Sequence, residues 1–343
     1  MSESARHQLN AYFSSEMDAL RESGAEFGRD YPHIAQELAL SEGRSRDPHV
    51  EHLIQSFAWM TSRLRMQMET EAGKLPGMLL QQLYPHLVAA KPSMAIVECD
   101  VDGYGANFSD GYTLPENKGM EPINLNADPE DAEKLRLCRF STTYDTRLWP
   151  LKVEGVFKEP SNNHANIEQQ FPNSQSLLRI AIGESDEGAA EGLNLDSPLR
   201  FFINLEEQHR FRLYDLLARH VVGVALLNQS GEVVKTLDRS AFNLCGFDDQ
   251  ERLFPYDPSQ ELGFTLLQDY FAFPEKFLFF EISGFEDWVF PSKGDSEKNK
   301  FHIMLILDES IPANIPLGKN TFKLNCCPVI NLFEKTSEPI PVH

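Results

Sequence analysis

Positive charge is scarce in this chain of 343 residues: 31 Lys and Arg stand against 52 Asp and Glu, a formal net charge of −21. That deficit excludes a protein that tracks a phosphate backbone, which needs a basic footprint. It also argues against adhesion to an anionic membrane surface. Long apolar runs are missing as well. Val221–Leu227 is the longest clear one and contains Gly223, far short of the roughly 18–20 residues that span a bilayer. Met1–Asn10 has no apolar signal core, so export is not expected. Cysteine is sparse: Cys99, Cys138, Cys245, Cys326 and Cys327. The number is odd and no pair has C-x-x-C spacing, whereas a disulfide framework is denser and usually even. Five reduced, mostly packed thiols in a reducing compartment are expected.

The sequence also lacks the motifs of common enzymes. There is no G-x-S-x-G nucleophile elbow and no Walker-type phosphate loop. Gly103-Tyr104-Gly105 begins like a dinucleotide fingerprint, but Phe108 stands where the third glycine belongs, and Asp102-Gly103 reads as a turn. Asp100 and Asp102 imitate a calcium loop, yet the glycine comes early and no bidentate Glu follows. His49 and His52 are three apart, so both imidazoles can share a helix face, but zinc needs a third and usually a fourth ligand. The adjacent acids Glu206-Glu207 and Asp248-Asp249 diverge on helix or strand and make no dyad. No catalytic residue, cofactor or metal site is expected.

What is present is helical periodicity, then alternation. Leu9, Tyr12, Phe13, Met17 and Leu20 recur at three- and four-residue steps, one apolar stripe on a helix. Ser23-Gly24 follows as a stop or hinge. A short helix is expected over Pro32–Leu40. In a third, Asp47 caps and Pro48 takes the first position, with Val50, Leu53, Ile54, Phe57, Leu64 and Met68 buried. A fourth is expected over Pro76–Tyr84, with Leu79, Leu80 and Leu83 inward, limited by Pro85.

From Pro92 the period becomes two. Strands are expected over Met94–Val101, Leu137–Thr143, Leu151–Phe157, Leu177–Ile182 and Leu199–Leu205, and a helix over Glu206–His220. Val221–Leu227 and Glu232–Leu237 flank a hairpin loop at Asn228–Gly231. Phe277–Ile282 and Phe301–Leu307 are strongly apolar strands, and Pro291–Lys300 between them is a polar loop. Leu266, Leu267, Tyr270 and Phe271 lie at helical spacing and are expected to bury together in a short helix ending before Pro274. The class is α+β: a helical segment over 1–90, a β-rich domain over 91–240 and a second α+β domain over 241–343. The 24 Phe, 9 Tyr and 3 Trp exceed what a core alone demands, and aromatics are enriched at protein interfaces.

Several stretches carry a resemblance. They are Asp47–Ala58, Leu79–Leu87, Pro92–Met94, Cys138–Asp145 with Leu148–Pro150, Gly246-Phe247, Leu266–Phe277 and Cys326–Phe333. Together, in this order, they resemble the TssF (ImpG/VasA) family of baseplate subunits of the bacterial type VI secretion system. The chain departs from the family where His52 replaces a common Arg. The family is also normally much longer, so a fragment or a shortened homologue is expected. The resemblance implies a structural, non-catalytic wedge subunit in the cytoplasm, recruited to the membrane-anchored complex without inserting itself. It implies TssG, TssK, TssE, the VgrG hub and another TssF copy as partners. On that basis Leu9, Tyr12, Phe13, Met17 and Leu20 are the candidate partner interface, reaching into a bundle shared with TssG; packing within their own domain is the other placement of the stripe. The competing functions are a cytosolic hydrolase or metal enzyme using His49, His52 or an unassigned triad, and a binding module with one preformed pocket.

Overall fold

The computed structural model describes residues 3–41, 44–101, 110–121, 138–185, 193–255, 261–285, 300–334 and 336. The motif candidates at Asp102, Gly103, Gly105 and Phe108, and the polar loop up to Asn299, lie outside them. The chain divides into two compact units, Met1–Ala90 and Lys91–His343.

The first unit is built on two long helices, α1 (Glu3–Asp30) and α3 (Pro48–Ala72). Between them come α2 (Pro32–Glu37) and the short hairpin of β1 (Leu40–Ser41) and β2 (Arg44–Ser45). Helices α4 (Lys74–Leu83) and α5 (Pro85–Val88) follow. Asp47 caps α3 as its residue type requires: its side chain accepts a hydrogen bond from the His49 amide at 2.9 Å, with Pro48 in the first turn. Gly24 does not end α1, which runs on to Asp30. An interior glycine costs only about 1 kcal/mol relative to alanine, and the last turns of α1 are held by α2, whose buried Ala35 lies 3.8 Å from where a Cβ on Gly28 would stand.

The second unit is antiparallel throughout its described strand pairs. Its strands are β3 (Met94–Glu98), β4 (Tyr112–Leu114), β5 (Gly119–Met120), β6 (Phe140–Thr142), β7 (Thr146–Leu148), β8 (Leu151–Pro160), β9 (Ser176–Glu184), β10 (Leu199–Ile203), β11 (Val221–Leu227), β12 (Val233–Asp238), β13 (Phe242–Leu244), β14 (Phe279–Ile282), β15 (Lys300–Leu307), β16 (Phe322–Lys323) and β17 (Cys326–Ile330). Helices α6 (Ala165–Gln170), α7 (Glu207–His220) and α8 (Leu262–Ala272) complete it. The sheets are ordered β12-β11-β15-β9-β8, β13-β14-β10-β16 and β3-β17-β6-β5, with β4 paired to β7. Strands from both sides of residue 240 share all three of these sheets, so a boundary there is not what forms: β11 pairs with β15, β10 with β14, and β3 with β17. The physical reason is that β9 and β11 are apolar on both faces and need covering from two sides. One face of their sheet packs in the main core with Phe201, Phe280 and Leu213, while Ile167 of α6 covers Ala225, Leu227, Met304 and Ile306 on the other.

Two turns show how local chemistry fixes the unit. Gly231 closes the β11–β12 hairpin at φ +84°, a left-handed conformation that suits glycine. Asn325, at φ +56° and buried, imitates a strand. Its Oδ1 accepts from the Trp149 amide at 2.8 Å and its Nδ2 donates to the Trp149 carbonyl at 2.7 Å.

Candidate partner-binding surface

In the first unit α1 and α3 run antiparallel, as their contacts show: Arg21 approaches Glu51 at 3.7 Å, the Phe13 and Trp59 rings meet edge to face at 5.9 Å, and the Tyr12 hydroxyl donates to Glu69. The last contact holds the Tyr12 hydroxyl above its ordinary pKa. Arg65 adds an ion pair to Glu16 at 2.9 Å. Leu9 and Met17 are buried and Tyr12, Phe13 and Leu20 half-buried. The five residues of the α1 stripe therefore spend much of their apolar surface inside their own unit.

The face that α3 turns toward α1 is not its bulky one. Ala58 and Ser62, four residues apart, are fully buried, and small side chains allow two helix backbones to approach closely. The expected inward stripe is rotated away by roughly a third of a turn, at about 100° per residue. Leu53, Phe57, Met60, Leu64 and Met68 are between 56% and 70% exposed. Their spacing of four, three, four and four draws one seam of about 22 Å along the helix. Helix α4 continues the pattern: no residue of it is buried, and Leu75, Met78, Leu79 and Leu83 are exposed, against the expectation that Leu79, Leu80 and Leu83 point inward. A groove of about 550 Å³ opens beside the seam, bordered by Leu9, Met60, Leu64 and Thr70. Single exposed apolar side chains are ordinary, but a contiguous stripe marks an interaction surface.

The second unit carries a helix turned the same way. Helix α8 buries Thr265 and Asp269 and exposes Leu267, Tyr270 and Phe271. That reverses the expectation that Leu266, Leu267, Tyr270 and Phe271 form core; only Leu266 is half-buried. The reason is a charge pair. Asp269 is 0% and Lys276 1% exposed, and the Lys276 ammonium donates to Asp269 Oδ2. Seating that pair in the interior fixes the helix rotation. Beside α8 an apolar cleft of about 530 Å³ is lined by Phe211, Tyr214, Phe247, Leu267, Tyr270 and Phe277.

Catalytic geometry does not assemble around the residues first considered. His49 and His52 are both exposed on the first turns of α3. Among the described residues no three His, Cys, Asp or Glu side chains stand where they could share a metal ion. A second internal electrostatic cluster centres on Arg200, which bridges Glu251 at 2.6 Å and Glu281 at 2.7 Å and lies over the Tyr144 ring. Burial pushes the Tyr144 hydroxyl and the Cys245 thiol well above their ordinary ranges. This cluster ties the Cys138–Asp145 stretch to the segment around Gly246, whose amide donates to Glu251. No described helix is long and apolar enough to cross a membrane.

The profile of the family described as "Type VI secretion system, TssF" matches residues 5–343. The chain belongs to the TssF family. Type VI secretion system component TssF1 of Pseudomonas aeruginosa is 29% identical, over 97% of this chain and 52% of that protein. The fold is shared with a chain of the type VI secretion system TssK-TssF-TssG baseplate subcomplex solved by cryo-electron microscopy. That likeness has a TM-score of 0.58 and 24% identity, over 85% of this chain and 51% of the other. This TssF-family chain thus spans about half the length of the relatives it matches.

The seam on α3 was the feature hardest to anticipate. Its residues are all apolar in the sequence, and only the burial of Ala58 and Ser62 shows that the opposite face is the inner one.

Proposed function

We propose that this TssF-family chain is a structural, non-catalytic wedge subunit of the type VI secretion baseplate, working in the cytoplasm. Its first unit joins a helical bundle with TssG through the α3–α4 face, and the wedge so formed engages TssK, TssE and a further TssF copy around the VgrG hub. The sheath and tube then assemble on that platform. The observation that carries the reading is the seam of Leu53, Phe57, Met60, Leu64 and Met68 left exposed on α3. The structural relative's place in a TssK-TssF-TssG baseplate subcomplex supports it. The bundle surface in this reading is α3 and α4, with Tyr12, Phe13 and Leu20 of α1 at its border.

The test is co-purification of this chain with the TssG and TssK of its own secretion system. Leu53, Leu64 and Met68 are changed together to Gln, a helix former comparable to Leu. Each side chain leaves more than half its surface exposed here, and full burial of such a residue is worth about 1.5–3 kcal/mol. The triple variant is expected to fold with a normal helical signal and to lose TssG by at least tenfold. TssG retention at the native level refutes the α3 seam, and no co-purification of the native chain refutes the wedge role.

A further inference from the structure

Cys99 and Cys327 are brought together by β3 and β17. Cys327 stands opposite Val97 in the antiparallel register, and the Cys99 amide donates to the Asn325 carbonyl at 2.8 Å. Residues two apart point to the same side of a strand, so Cys99 and Cys327 are diagonal neighbours on one face. Both side chains pack in one small apolar cluster with Val97, Val101 and Val329. The two differ in access. Cys327 is fully buried, while Cys99 is half-buried, just past the end of β3, and lines a polar cleft of about 630 Å³. The charged groups around that cleft are Glu98, Asp100, Lys152, Lys319 and Lys323. Three lysines in one cleft are unusual in a chain of net charge −21. Two are partly engaged: Lys323 approaches Glu98 at 3.2 Å, and Lys152 donates to the Ser185 carbonyl at 2.6 Å.

We propose that Cys99 and Cys327 form a peroxide-reactive dithiol, with Cys99 as the attacking thiol and Cys327 as the resolving one. A partly exposed thiol in a polar cleft, with a second thiol as its strand neighbour, is the setting in which cysteine becomes reactive. The neighbouring Cys327 thiol lowers the Cys99 thiol to about 7, and Cys99 with burial holds the Cys327 thiol well above its ordinary range. Burial pushes Cys326 up to about 12 and Cys245 higher still, which leaves both inert. In the first step the Cys99 thiolate attacks one oxygen of hydrogen peroxide. The O–O bond breaks, Cys99 becomes a sulfenic acid, and the departing hydroxide takes a proton and leaves as water. In the second, the Cys327 sulfur gives up its proton and attacks the Cys99 sulfur. A disulfide forms and a second water leaves. Two thiols and one peroxide thus give one disulfide and two waters. Diagonal Cα atoms stand near the roughly 7 Å limit for a disulfide, so closure asks for a small shift, available to Cys99 because it lies beyond the strand.

The experiment uses the intact chain. N-ethylmaleimide labelling is followed from pH 6 to 9 by peptide mass spectrometry, and a parallel sample is treated with hydrogen peroxide. Cys99 is expected to label first among the five cysteines, with its rate half-maximal near pH 7. Peroxide is expected to give a Cys99–Cys327 linked peptide that dithiothreitol cleaves. In Cys327→Ala, checked for an unchanged melting curve, the Cys99 profile is expected to move toward the ordinary thiol value of about 8.5. A Cys99 profile already centred at the ordinary value in the native chain overturns the proposal. So does peroxide treatment that links another pair or none. Both readouts come from the native chain and stand whether or not the variant folds.

Discussion

The Asp269–Lys276 pair decides which side of α8 meets solvent, and its removal gives a sharp test. Both side chains are out of water, and both are committed to each other. Burial raises the Asp269 pKa, and the opposing pull of Lys276 does not fully cancel it. Removing one partner of a buried pair typically costs about 3–5 kcal/mol, because the other charge is left uncompensated, whereas replacing both by apolar groups is often neutral or stabilising by about 1–4 kcal/mol. Lys276→Met is therefore expected to lower stability by about 3–5 kcal/mol at neutral pH. Asp269→Leu combined with Lys276→Met is expected to recover most of that loss. The pH dependence has a definite sign. A carboxyl whose folded-state pKa lies above its unfolded value, about 3.9, favours folding below that value. The contribution is lost as pH rises through the folded-state pKa. Removing Lys276 takes away the group that opposes this rise, so the single variant is expected to lose more stability at pH 8 than at pH 5. Urea unfolding followed by circular dichroism at the two pH values measures it. A single variant within about 1 kcal/mol of the native chain, or a double variant no better than the single, would falsify the claim that this pair is a matched buried couple.

Two further outcomes follow from burial. Phe271, 81% exposed, is expected to tolerate replacement by alanine within about 0.5 kcal/mol; a thermal melt showing a loss typical of a core phenylalanine, about 3–5 kcal/mol, would mean that α8 is turned the other way. Ala58→Leu puts a bulky group where α1 and α3 touch and is expected to cost about 1–3 kcal/mol by overpacking; a melting temperature equal to the native one would show that the helices do not meet at Ala58.

Much of this fold is written locally. The start of α3 follows from Asp47 and Pro48, the β11–β12 hairpin from Asn228 and Gly231, and the change from helix to strand at Pro92 from the change of period. Element type depends on spacing along a few residues, which the sequence displays directly. Orientation depends on what lies across the contact, which it does not. In α3 the apolar residues cover two faces, and only the pairing of Ala58 and Ser62 with α1 selects the inner one. In α8 the sole charge, Asp269, looked like a surface residue because its partner, Lys276, lies beyond the helix end. The division expected near residue 240 failed for a similar reason. Strand partners such as Phe201 and Phe280 are far apart in sequence, and their register is set by burial in a common core. At the candidate partner surface the residue types were legible in α3 and α4, but their exposure was not.

The position of β17 bears on how the protein is made. Strand β3 leaves the ribosome early, yet among the described strands it pairs only with β17. The two partners, Val97 and Cys327, are separated by roughly 230 residues, which at about 5–20 residues per second is a wait of roughly 10–50 seconds. The α1–α3 hairpin, made of near neighbours, is complete throughout that wait. A nascent chain thus holds a finished helical hairpin and, later in its sequence, a strand with open edges, and such edges invite aggregation. If the bundle proposed for α3 forms on the polysome, it carries the chain through its most vulnerable interval, and synthesis and assembly then run together.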